Sequence, residues 1–172
     1  MAPNIAKDPE IKKDRLRFTK NKLSADLILA AIAVNALYFV SIYSSDVGSY
    51  YYRLMIGASI LYNLVFMLVA FLASEGVKGY NMSYSVVSIL LGGLQIGRIF
   101  YLPMKAYKAP NPVVDSDIPT VMGAGQFRYV AVCLCVSAVL LCCAGVIGII
   151  KTTTLNKHQA KLGNLATRGS AT

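Results

Sequence analysis

The sequence predicts an all-α polytopic membrane protein: four transmembrane helices in a bundle, with the N- and C-termini cytoplasmic. Three observations carry that expectation. Four apolar stretches, residues 25–43, 54–73, 84–102 and 129–150, each approach the ~20 residues a helix needs to cross a hydrocarbon core of ~30 Å. The chain is 56% hydrophobic and only 15% charged, with a mean hydropathy of +0.55, too apolar for a water-facing surface. Its 17 basic residues are distributed unevenly: 12 fall in segments that a both-ends-inside topology puts in the cytoplasm, four fall outside, and Arg98 lies within a span. The positive-inside rule sets the orientation from that split. Three parts follow: a basic segment (1–24), the transmembrane domain (25–150) and a polar tail (151–172). The longest connection is too short for a separate soluble domain.

Ahead of the first span, Asp8-Pro9-Glu10 reads as a helix start, with a capping carboxylate and proline at the first position. Ile11, Leu16 and Phe18 among lysines and arginines fit either an interfacial helix on anionic lipid or a basic tail. Ser24 and Asp26 suit the cap and first turn of the first span. That span lacks the short apolar core and small-residue cleavage site of a signal peptide, so it is expected to remain as an anchor.

The first connection carries Asp46, Gly48 and Tyr50-Tyr51-Tyr52; with Tyr38, Tyr43, Tyr101 and Tyr107 these suggest an outer aromatic belt. The second, with Glu75, Gly76, Lys78 and Gly79, reads as a tight cytoplasmic turn. A sequon at Asn81-Met82-Ser83 falls on that same side, where its glycosylation would contradict the topology. The third holds Pro103, Pro110, Pro112 and Pro119, a density that disfavours helix. The tail after Ile150, polar, basic and threonine-rich, is expected to be largely disordered.

A polar layer crosses the spans. At about 1.5 Å per residue, Asn35, Asn63, Gln95 and Ser137 fall at similar depth, one on each helix. An unpaired amide in hydrocarbon costs several kcal/mol, so these side chains should face one another. Two readings stand: interhelical glue, or a site for a solute or ion. Arg98 lies one turn outward of Gln95 on nearly the same face. It has a choice between snorkelling to the outer headgroups, pairing with Asp46, Asp115 or Asp117, and binding a ligand.

Small residues suggest packing faces. Gly93 and Gly97 form a GxxxG pair, and Ala131, Cys135, Ala138, Cys142 and Gly145 follow a 4-3-4-3 spacing on the fourth span. Cys135 and Cys142, like Cys133 and Cys143, then read as small apolar residues. Cys-x-Cys and Cys-Cys spacings, with no cysteine in an outer loop, do not suit four-span thiol oxidoreductases, tetraspanins or claudins. Small multidrug exporters centre on a glutamate where this chain has Asn35. The one histidine, His158, lies in the tail. No metal, cofactor, nucleophile-and-base pair or nucleic-acid partner is expected.

Arg17-Phe18-Thr19-Lys20-Asn21-Lys22-Leu23-Ser24-Ala25-Asp26, Tyr38-Phe39-Val40-Ser41-Ile42-Tyr43 and Ser45-Asp46-Val47-Gly48-Ser49-Tyr50-Tyr51-Tyr52 carry a resemblance. They are similar to uncharacterised bacterial four-span membrane proteins associated with carbohydrate-type ABC transporter genes. The likeness extends through 99–105 and fades in the proline-rich loop and tail; it brings no site residues. It implies an accessory membrane subunit beside a larger transport system. With no catalytic motif in the chain, the leading expectation is a non-enzymatic accessory or scaffold subunit of the plasma membrane packed against that complex. The alternative is a small homo-oligomeric channel or solute facilitator built around the polar layer and Arg98.

Overall fold

The computed structural model describes residues 20–43, 50–110 and 120–169. The chain forms helices α1 (Lys22–Tyr43), α2 (Tyr50–Lys78), α3 (Met82–Lys108) and α4 (Ala124–Gly169). Each is long and apolar enough to cross a membrane. α1 packs on α2, α2 on α3, α3 on α4, and α4 back on α1, closing a ring that is most extensive at α3–α4 and thinnest at α2–α3.

One end of the ring, the terminal end, is tied by Asn21. Its backbone N–H donates to the Lys78 carbonyl (3.2 Å), and its Oδ1 accepts from Lys151 Nζ (3.1 Å). Asn21 also caps α1, with Oδ1 facing the Ser24 N–H and Nδ2 donating to Ser24 Oγ (2.9 Å). The cap therefore sits three residues earlier than Ser24, and Asp26 falls in the second turn. The α2–α3 turn closes beside it, with Tyr80 at φ 59° and Asn81 capping α3 through the Ser83 N–H (3.2 Å).

At the opposite, loop end, α3 continues through Pro103 instead of stopping there. Pro103 removes the N–H that would bond the Ile99 carbonyl and its ring crowds that carbonyl, but its fixed φ is helical and the helix runs on to Lys108. The chain then folds back over the bundle: Pro110 bridges Thr120, and the Val121 N–H donates to the Ala109 carbonyl (3.0 Å). Met122 is buried beneath. Gln126 Nε2 donates to the Ser41 carbonyl (2.8 Å), fixing the start of α4 against the end of α1.

Two further expectations change. Tyr50–Arg53 open α2 instead of forming a loop, and the tail is helical as far as Gly169. The proposed interfacial helix before residue 20 and the acids Asp46, Asp115 and Asp117 lie outside the described residues.

The interior has three layers. Toward the terminal end, Ile28, Ala31, Phe66, Ala70, Leu91, Leu141 and Ala144 form an apolar cluster. Toward the loop end, Tyr38, Ile42, Leu102, Ala106, Met122, Val130 and Leu134 form a second. Polar side chains fill the gap between them. Leu37, Leu68, Leu90, Phe100, Val132 and Val139 point outward and are more than half exposed, a surface suited to lipid.

Close helix approach occurs where α3 meets α4. A Cβ on Gly92 would sit 3.1 Å from the Ala138 carbonyl oxygen and 2.7 Å from Cys142 Sγ. One on Gly145 would sit 2.7 Å from the Ser85 carbonyl oxygen. Ala138, Cys142 and Gly145 thus pack inward, Ala131 is half-buried and Cys135 is exposed. Gly93 and Gly97 take no part in this packing: a Cβ on either would meet nothing within 4 Å.

Candidate functional site

Asn35, Asn63, Gln95 and Ser137 are each fully buried, and they meet. Asn35 Nδ2 donates to Asn63 Oδ1 (2.8 Å). Gln95 Nε2 donates to Asn35 Oδ1 (3.0 Å) and to Ser137 Oγ (3.3 Å). Ser137 Oγ in turn donates to the Ala31 carbonyl (3.2 Å). The chain of bonds therefore touches all four helices. Each position faces inward because it continues the buried stripe of its helix, as Ser88, Leu91, Gln95, Arg98 and Leu102 do on α3.

Arg98 turns inward and joins this network instead of snorkelling to the outer headgroups, one of the three choices open to it. Nη1 donates to Asn63 Oδ1 (2.8 Å) and Asn35 Oδ1 (3.3 Å), and Nη2 to Ser59 Oγ (3.3 Å). The guanidinium lies 4.3 Å from the centroid of the Tyr38 ring and 4.8 Å from that of Tyr62. A cation held on desolvated aromatic faces gains roughly 2 kcal/mol or more. Two rings and three oxygen acceptors replace part of the hydration that the charge loses in the bilayer. The only carboxylate side chains among the described residues, Asp26 and Glu75, lie near the terminal end, where Glu75 pairs with Lys78.

Sequence reasoning missed Ser59, Tyr38 and Tyr62. The available signal was spacing: Ser59 is one turn from Asn63, and Tyr38 one turn from Asn35, on the same faces. Tyr38 had been placed in the outer belt; it is buried, with 1% of its surface exposed. Tyr101 and Tyr107 do face outward.

Beside the network, at the thin α2–α3 seam, lies a cavity of about 370 Å³ lined by Ala58, Ser59, Tyr62, Leu94, Gly97, Arg98, Tyr101 and Leu102. The small polar part of its wall consists of Arg98 and the side chains of Ser59, Tyr62 and Tyr101, a cation beside hydroxyls that can donate or accept. The remaining wall is apolar. Among the described residues, the Tyr62 hydroxyl, Asn63 Nδ2 and Gln95 Oε1 are buried with no hydrogen-bond partner.

Fold and site together define a class: a four-helix, multi-pass membrane protein whose interior is cross-linked by amides and one arginine. No protein-family model, no curated protein and no solved structure matches this chain.

Proposed function

We propose that this protein is a non-catalytic accessory subunit of the plasma membrane, both termini cytoplasmic, that packs through the outward face of α3 against another membrane protein. The supporting observation is the emptiness around Gly93 and Gly97. Close-packing glycines within the bundle, Gly92 and Gly145, meet atoms at once, whereas these two meet none. In lipid, a small-xxx-small pair lets a second helix approach closely and gain van der Waals contact. The resemblance noted above points to a carbohydrate-type ABC transporter as the larger partner. A channel through one chain fits less well, because the polar side chains bond to one another across the bundle axis.

Native mass spectrometry of the gently solubilised protein tests this reading. The expected result is a complex with a larger membrane protein, weakened by Gly93→Leu without loss of the helical fold. Recovery as a lone monomer, or as a homo-oligomer that conducts solute in vesicles, would overturn it.

A further inference from the structure

We propose that the cavity between α2 and α3 is a binding site for a single-chain amphiphile with a carboxylate head, such as a long-chain fatty acid. The cavity adjoins the proposed partner face and shares Gly97 with it, but its occupant is inferred independently of the partner reading, and Gly93, outside the cavity lining, separates the two in the test.

The charge argument comes first. Arg98 is more than nine-tenths buried, yet it forms part of the cavity wall together with Ser59 and Tyr62. Ser59 Oγ is held against the guanidinium at 3.3 Å, so the two lie side by side. Nη1 already serves Asn63 and Asn35 and Nη2 serves Ser59, so the guanidinium contributes its positive charge at the cavity wall, and the Ser59 and Tyr62 hydroxyls can donate to a carboxylate beside it. The Tyr62 hydroxyl has no partner among the described residues. A mostly apolar wall with one small cationic, hydroxyl-bearing patch selects an apolar chain that ends in an anionic acceptor head group.

Shape and position narrow the class further. The cavity, about 370 Å³, is near the lower end of the roughly 300–1,000 Å³ range for small-molecule sites. That space suits one small head group and the start of one chain, not the two chains of a phospholipid. Leu94 and Leu102 line its apolar part, and Gly97 leaves open the space a side chain would fill. A tail leaving this seam enters surrounding lipid without crossing a polar surface. Lys105, two turns above Arg98 and 5.0 Å from the Tyr101 ring centroid, puts a second cation toward the loop end. An anionic head approaching from the membrane surface meets Lys105 first and Arg98 next.

The test uses the full chain in a non-ionic detergent, titrated with oleate, oleyl alcohol or phosphatidylglycerol and read by native mass spectrometry. One oleate per chain is expected, with oleyl alcohol weaker by about tenfold or more, the loss expected when a charge-assisted hydrogen bond is removed. Gly97→Leu, which adds a side chain where no atom stands in the way, should abolish oleate binding; Gly93→Leu should retain it. Arg98→Gln should weaken binding about 10- to 100-fold; if it does not fold, the outward Gly97→Leu comparison still decides. Oleate binding to Gly97→Leu at wild-type affinity, equal affinity for acid and alcohol, or preference for phosphatidylglycerol would each overturn the assignment. Loss of partner contact in Gly93→Leu leaves it standing.

Discussion

Arg98 Nη1 lies 2.8 Å from Asn63 Oδ1, and that same oxygen accepts from Asn35 Nδ2, also at 2.8 Å. One amide oxygen on α2 therefore holds both a cation from α3 and an amide from α1. The arginine could be drawn inward because this acceptor and two tyrosine rings already stood at its depth.

Removing that acceptor should be costly. Asn63→Ala leaves a buried guanidinium short of its nearest acceptor and is expected to lower stability by ~1.5–3 kcal/mol. Ser137→Ala removes a neutral link whose average worth in membranes is ~0.6 kcal/mol. Unfolding of both variants in mixed micelles, compared with wild type, checks the ranking. An Asn63→Ala loss no larger than that of Ser137→Ala would show that Arg98 finds equivalent partners elsewhere.

Glycines on the two most closely packed helices should behave oppositely. A methyl at Gly145 would press on the Ser85 carbonyl oxygen at 2.7 Å, and backbone cannot move aside cheaply. Gly145→Ala is therefore expected to cost ~1–3 kcal/mol through overpacking, whereas Gly93→Ala, facing open space, should leave the monomer's melting temperature nearly unchanged. Thermal denaturation of the two variants in the same detergent makes the comparison.

These glycines also mark where the sequence stops being legible. The spans could be read because a bilayer imposes a length, and the depth of Asn35, Asn63, Gln95 and Ser137 because a helix advances by a fixed rise. Facing direction was harder. Both the interior and the lipid-facing surface are apolar, so the amphipathic signal that orients a water-exposed helix is weak here. A GxxxG pattern therefore marks Gly93 and Gly97 without saying which way they face, and within the bundle it is Gly92, one residue away, that makes the close contact with Cys142 and Ala138. Arg98 was equally ambiguous, since a long flexible side chain four residues from the end of the apolar stretch 84–102 can reach outward as easily as inward. Only the tertiary positions of Tyr38, Tyr62 and Ser59 decide it.

Asn21 joins α1, α2 and α4 at the terminal end, so its substitutions should separate capping from charge. Asn21→Ala is expected to lose ~1 kcal/mol as a cap, and to release Lys151. Asn21→Asp keeps an oxygen for the Ser24 N–H and adds a charge opposite Lys151, 3.1 Å from the present Oδ1. It should match or exceed wild type at low salt and lose that advantage as salt rises. Chemical denaturation at two ionic strengths tests both statements; an Asp variant as weak as the Ala variant would exclude the Lys151 link.

The tail was expected to be disordered because it is polar and rich in threonine, yet α4 runs on to Gly169. A helix already formed in the membrane needs no new nucleus, so residues of modest propensity can extend it at the cost of propagation alone. No proline interrupts residues 151–169, and Thr154 Oγ1 folds back to donate to the Ile150 carbonyl (2.8 Å). Amide hydrogen exchange should therefore find protection continuing from Lys151 to about Ala160 and fading toward Gly169 as the end frays. Thr154→Pro, costing ~3 kcal/mol in a helix interior, should strip that protection beyond residue 154. The span itself, anchored by Leu134, Leu141 and Ala144 in the core, should keep its protection. Coil-like exchange throughout the wild-type tail would mean that the helix ends at the membrane surface, as the composition alone suggested.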